Sequence, residues 1–190
     1  MAGSLLLLLI GSMFAIFQQG SSAWRKTEAT SDLGNELQKI TVVLEREVER
    51  SCYTSLSLDP PGAATACSVL TPVNDQGQTV LSTTGYPVWQ AYKVFYYDAP
   101  NKQVCLRTVP LAPASPEANS PEPIELYDAG GLQPLSTYRN GGRPLARFVE
   151  AFSFTPTQGM LVLTIQGQKK RYGRSVPEQL SWKITCTFRN

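Results

Sequence analysis

The sequence predicts an α+β fold: a long N-terminal spine helix, apolar in its first half and amphipathic in its second, packed on an antiparallel β-rich head. Three observations predict it. From Ala2 to Phe17 the chain is uncharged and strongly apolar, too uniformly so for one face of a surface helix. Leu33, Leu37, Ile40, Leu44 and Val48 then recur at steps of four, three, four and four, the period of a helix with one buried stripe. Beyond Asp59-Pro60-Pro61-Gly62 the apolar residues shift to even spacings separated by turn residues, which is the signature of strands.

The chain has 190 residues, 42% of them apolar, enough for one moderate domain with a core. Seventeen Lys and Arg against fifteen Asp and Glu leave a net charge of +2, too weak a field to suggest nucleic acid as a partner. Histidine is absent. Serine-histidine and cysteine-histidine catalysis are therefore excluded, as are histidine-ligated zinc and haem.

The apolar run consists of Leu5, Leu6, Leu7, Leu8, Leu9 and Ile10, continued by Met13, Phe14, Ala15, Ile16 and Phe17. As a helix, residues 2 to 17 span roughly 24 Å, short of the roughly 30 Å hydrocarbon core. Two readings compete. A cleaved signal peptide would end at Ser21-Ser22-Ala23, but Met1-Ala2-Gly3-Ser4 carries no basic residue where one is expected. A membrane anchor is a little short. Both difficulties vanish if the reading frame starts upstream, and an upstream start is expected. From Trp24 to Arg50 the chain has no proline and a single glycine, Gly34. The helix is therefore expected to continue to about Tyr53, with a kink or frayed turn at Gly20. Asp59-Pro60-Pro61-Gly62 is a stop, giving an anchoring and spine segment over 1–57 and a head over 58–190.

The run Met1-Ala2-Gly3-Ser4-Leu5-Leu6-Leu7-Leu8-Leu9-Ile10-Gly11, then Trp24-Arg25-Lys26, then Leu33, Leu37 and Leu44-Glu45-Arg46-Glu47, resembles the spine of bacterial minor pilins and pseudopilins. In that family a basic leader, a glycine cut by prepilin peptidase, a methylated phenylalanine and a nearby glutamate precede the apolar helix. None of these four stands in this sequence, so no cleavage or methylation residue is carried over. The resemblance implies a structural subunit held in the bacterial inner membrane as a single-pass protein, with its head in the periplasm. It implies assembly through Leu5 to Ile10, Phe14, Ile16 and Phe17 with other pilin or pseudopilin subunits into a type IV pilus or a type II secretion pseudopilus. Prepilin peptidase would be a partner if an upstream leader exists.

In the head, Val88 to Tyr97 is aromatic and β-branched. Asp98-Ala99-Pro100-Asn101-Lys102 is turn sequence, and Gln103 to Val109 returns, which predicts an antiparallel hairpin. Arg107 is expected to be solvated on that strand. Pro110 to Pro123 carries five prolines and is expected to be an exposed, irregular excursion. Three closing strands are expected over 146–154, 160–166 and 179–188, with Phe148, Phe152 and Phe154, then Leu161, Leu163 and Ile165, then Leu180, Trp182, Ile184 and Cys186 on buried faces. Thr157-Gln158-Gly159 fits a hairpin turn. Lys169-Lys170-Arg171 with Arg174 is the one basic cluster, expected at a solvated loop tip. This closing run also resembles W-type and J-type minor pilin-like proteins.

No enzyme is expected. Asp59, Asp75, Asp98, Glu117, Glu122, Glu125, Asp128, Glu150 and Glu178 fall mostly in turns, with no pair placed as acid and base. Calcium at Asp98 is not expected, because Asp-x-x-Asn is ordinary turn sequence. No G-x-G-x-x-G or G-x4-G-K-[ST] occurs, and no cofactor or metal is expected. The alternative to a filament subunit is a secreted β-rich ligand-binding domain, with residues 1–23 as a signal peptide.

Cys52, Cys67, Cys105 and Cys186 form no C-x-x-C pair, and four cysteines allow three connectivities. The expected bonds are Cys52–Cys67, tying the helix end to the head across the Pro-Pro-Gly break, and Cys105–Cys186, joining two strands. A short loop of the first kind is worth about 3 kcal/mol in the chain-entropy description.

Overall fold

The computed structural model of the chain describes residues 2–61, 64–115, 121–127, 132–170 and 176–188, excepting the side chains of 2, 4–8 and 112–115. One helix, α1, runs Ala2–Glu49. Helical hydrogen bonding continues through Gly20, so the frayed turn expected there is absent. The end comes earlier than Tyr53: Ser51 N–H turns back to Val48 O at 3.1 Å, and Cys52 adopts an extended backbone. Ser55, in the 3-10 turn Tyr53–Ser55 that follows, bonds to the Cys52 carbonyl at 2.8 Å and accepts Leu70 N–H at 3.2 Å. The first turn after the helix is thereby stitched to the head.

Eight strands follow among the described residues: β1 Ser57–Asp59, β2 Ala66–Thr71, β3 Trp89–Asp98, β4 Gln103–Ser115, β5 Arg143–Arg147, β6 Val149–Thr157, β7 Met160–Lys169 and β8 Glu178–Thr187. They form an antiparallel five-stranded sheet, β1-β2-β3-β4-β5, and an antiparallel three-stranded sheet, β6-β7-β8. Ala64 and Phe154 exchange backbone hydrogen bonds at 3.3 and 2.7 Å. Tyr97 Oη donates to the carbonyls of Val149 and Glu150 at 2.9 and 3.1 Å. These contacts join the two sheets into one wall. The predicted α+β class, one long helix with antiparallel sheet, is the observed one.

The core lies where α1 crosses this wall. Leu37, Ile40, Leu44 and Val48 meet Cys67 and Val69 of β2, Phe95, Val104 and Leu106, and the inward rows Phe152/Phe154, Leu161/Leu163/Ile165 and Cys186. At Gly167 the helix comes so close that an added Cβ would lie 2.6 Å from Leu33 Cδ1. Any larger residue at this crossing would make the leucine side-chain ends shift.

A second, smaller core on the opposite face of the five-stranded sheet was not expected. Leu70, Tyr92, Val94 and Tyr96 are covered there by Ile124, Leu135 and Tyr138. The Pro-rich segment, expected to be an irregular excursion, is structured over its described residues. Pro110 to Ser115 extends β4, residues 116–120 lie outside the described ones, and 121–127 return across the sheet. Glu122 O accepts a hydrogen bond from Tyr92 Oη at 2.9 Å, and Ser57 Oγ donates to Glu125.

Two further expectations are corrected. Residues 146–154 are two strands, because Phe148 takes a positive φ of 64°. That turn leaves its ring 39% exposed, under the Lys169 ammonium at 5.1 Å. Arg107 is not simply solvated. It donates to Asn140 Oδ1 at 2.6 Å and Asn140 O at 3.1 Å and stacks over Tyr138 at 5.7 Å, pinning the segment that covers the second core.

Candidate assembly surface

The residues predicted to pack the helix on the head do so. Leu33, Leu37, Ile40, Leu44 and Val48 are all 0% exposed, and Ala29 extends the stripe one turn earlier. Polar contacts frame it: Lys169 Nζ reaches Asp32 Oδ2 at 2.6 Å, and Glu36 Oε2 accepts Arg147 N–H at 2.9 Å. Burial of such a row removes several large aliphatic side chains from water, each worth about 1.5–3 kcal/mol. This half of α1 is part of the head.

The other half is not. Leu9, Ile10, Met13, Phe14, Ile16 and Phe17 are all more than half exposed, and every residue from Leu9 to Gly20 is exposed. No side of this segment is covered by the head. Between five and six turns of helix separate Leu9 from Ala29, about 30 Å at about 1.5 Å per residue. Of the predicted anchoring residues, Leu9, Ile10, Phe14, Ile16 and Phe17 lie on this bare segment, and the side chains of Leu5, Leu6, Leu7 and Leu8 lie outside the described ones. Ser12, Thr27 and Thr30 turn their hydroxyls back to the carbonyls of Leu9, Ala23 and Lys26, which satisfies them within the helix and makes its surface more apolar. An all-round apolar helix in water is unstable unless something covers it. Among the described residues, no helix is long and apolar enough to cross a membrane.

The predicted disulfides are not formed; all four cysteines are free thiols. Strand register gives the reason. Cys67 is opposite Phe95 and Cys105 is opposite Tyr96. Phe95 and Tyr96 are consecutive on β3, so the two thiols point to opposite faces of the sheet. Cys67 and Cys186 enter the core beneath α1, whereas Cys105 joins the second core and Cys52 packs against it. Each expected bond would have to pass through the sheet. Burial pushes the Cys67 thiol well up from its ordinary pKa, with the Cys186 sulfur adding to the shift. Burial, then Glu45 and Glu49, push Cys186 up to about 12. Neither is poised as a nucleophile.

The predicted turn carboxylates are engaged structurally. Arg139 donates to Asp59 Oδ2 at 3.1 Å, Lys102 pairs with Glu150 at 2.6 Å, and Asn101 and Gln103 donate to Asp98 Oδ2 at 2.8 and 2.9 Å. Those two hydrogen bonds hold Asp98 below its usual pKa. Asp75 and Glu122 are exposed, Glu178 is half-buried, and Glu117 and Asp128 lie outside the described residues, as do Arg171 and Arg174. No group of three or more Cys, Asp or Glu able to hold a metal occurs among the described residues. A cleft of about 470 Å³ beside the β3–β4 turn is lined by Tyr96, Asp98, Cys105, Arg139 and Gly142. Its charged groups already have the partners named above. Comparison with protein-family models, curated proteins and solved structures found no match for the chain.

Proposed function

We propose that the protein is a structural subunit of minor-pilin or pseudopilin type, not an enzyme. On this reading the bare half of α1 anchors it in the bacterial inner membrane and then packs with the helices of other subunits in a type IV pilus-like or type II secretion filament. The head stands in the periplasm. One observation carries the proposal: a single unbroken helix is buried on the head from Ala29 to Val48 and bare and apolar from Leu9 to Phe17. A cleaved signal peptide has no need of a helix that continues in register into the core of the mature domain, so continuity favours the spine over the secreted-domain alternative. The pilin-like resemblance of the sequence supplies the kind of assembly.

A photo-crosslinkable residue in place of Ile16, expressed in the native cell, tests this. The expected result is a membrane-associated chain with adducts to other helical-spine subunits. Recovery of the chain in the soluble fraction without protein adducts would overturn the proposal.

A further inference from the structure

Where α1 leaves the head, two strongly exposed apolar side chains stand around the helix at about one level. Trp24 and Val176 are 75% and 74% exposed, more than any other large apolar residue among the described ones. They belong to different elements. Yet a cleft of about 650 Å³ is lined by Gln18, Ser22 and Lys26 of the helix and by Val176 and Pro177, so Val176 stands beside the helix at their level. Along the axis the surface is graded. Apolar residues run to Phe17, amides and hydroxyls occupy Gln18 to Ser22, then come Trp24, Arg25 and Lys26, and the first carboxylate, Glu28, follows.

We propose that Trp24, Arg25, Lys26 and Val176 form a collar that docks on the phospholipid headgroup layer and sets how deeply the helix sits. This rests on the membrane-anchor reading above. The spacing fits. Trp24 lies seven residues past Phe17, about 10 Å, and a headgroup layer is roughly 5–8 Å thick on each side of the hydrocarbon. Helical side chains lean toward the N-terminus, which here is the bilayer side, so the indole and the two cationic stems return toward the headgroups. Tryptophan favours that layer, and arginine and lysine reach its phosphates from flexible stems. The acidic Glu28 sits about 6 Å farther out than Trp24, on the water side.

The full chain, reconstituted alone into vesicles of phosphatidylcholine with phosphatidylglycerol, tests the collar by fluorescence quenching with lipids brominated near or far from the headgroup. Trp89 is buried and Trp182 half-buried in the head, so the difference between wild type and Trp24→Phe isolates Trp24. The collar predicts that this difference signal is quenched at least twofold more by shallow than by deep bromine. It also predicts that Lys26→Ala weakens association with phosphatidylglycerol vesicles about twofold relative to pure phosphatidylcholine, with head unfolding unchanged. A chain that floats with the vesicles while Trp24 is unquenched, or is quenched better by deep bromine, overturns the collar and leaves the anchor standing. A chain that does not float overturns both.

Discussion

The two halves of α1 share a backbone and differ in company. From Ala29 to Val48 the helix carries a one-sided stripe, and the head covers it completely. From Leu9 to Phe17 it is apolar on all sides, and the head covers none of it. The amphipathic half has a pattern that matches one partner, the wall of two sheets. The bare half has no preferred side, which suits a surrounding medium or a ring of neighbours better than a single groove. Helical propensity cannot explain why both halves are helical, since packing supplies most helix stability in proteins. The buried half is held by the core, and the bare half grows from it as a continuation.

The largest effect that would break this contrast is a cavity under the buried half. Leu44→Ala should cost the head about 2–5 kcal/mol, because Leu44 is fully buried among Cys67, Phe95 and Leu161 neighbours of the same core. Phe14→Ala, a larger deletion, should leave head unfolding within about 0.5 kcal/mol of wild type. Chemical denaturation of both variants in detergent measures the pair. Equal destabilisation would mean that the bare half contributes to the head after all.

A smaller effect comes from the opposite perturbation, added volume. Gly167→Ala places a methyl 2.6 Å from Leu33 Cδ1 and 3.3 Å from Leu37 Cδ2. The clash is with the mobile ends of leucine side chains, so the expected cost is at the low end of overpacking, about 1 kcal/mol. The signature that sharpens the comparison is additivity. Gly167→Ala combined with Leu33→Ala should destabilise by less than the sum of the two singles, since the second change makes room for the first. A strictly additive pair would sever the proposed contact between the helix and β7.

The contrast between halves was legible in the sequence, and the layering of the head was not. The stripe from Leu33 to Val48 was readable because one-sided burial imposes the helical period. The hairpin was readable as far as Val109 because an aromatic run and a returning apolar run flank a Pro-Asn turn, whereas the continuation of β4 to Ser115 was read as loop because of its prolines. β2 was missed because all six of its residues are buried. A strand covered on both faces loses the period of two, and its Ser68 and Thr71 dilute the apolar signal. β5 was merged with β6 because the break depends on one positive φ at Phe148, which nothing in that residue type announces. The second core rests on Ile124, Leu135 and Tyr138, too sparse in a Pro-rich stretch to form a pattern. The disulfides failed on parity: proximity along the chain placed Cys52 beside Cys67, while strand register sent Cys67 to the face away from it. The bare helix surface was readable residue by residue, but its lack of any covering element is a tertiary fact.

The last prediction uses the thiols as a ruler for how far the head's cover extends along the helix. Cys186 lies beneath the buried half, and its pKa rises from 9.0 to about 12 through burial first and then the negative charges of Glu45 and Glu49 on α1. Burial likewise raises Cys67. Cys52, just past the helix end, is only half-buried. Alkylation requires thiolate and access, so iodoacetamide at neutral pH should modify Cys52 well before Cys67 or Cys186, as read by peptide mapping. The linkage has a definite sign. A thiol whose folded pKa is raised favours folding fully below its unfolded value and loses that contribution as pH climbs through the folded one. Head stability should therefore fall between pH 9.0 and about 12, and Cys186→Ala should flatten part of that decline even if it lowers stability at neutral pH. Modification of Cys186 as fast as Cys52 in the folded chain would mean that β8 and the second half of α1 separate readily, and the sharp division of the helix into a held half and a bare half would be lost.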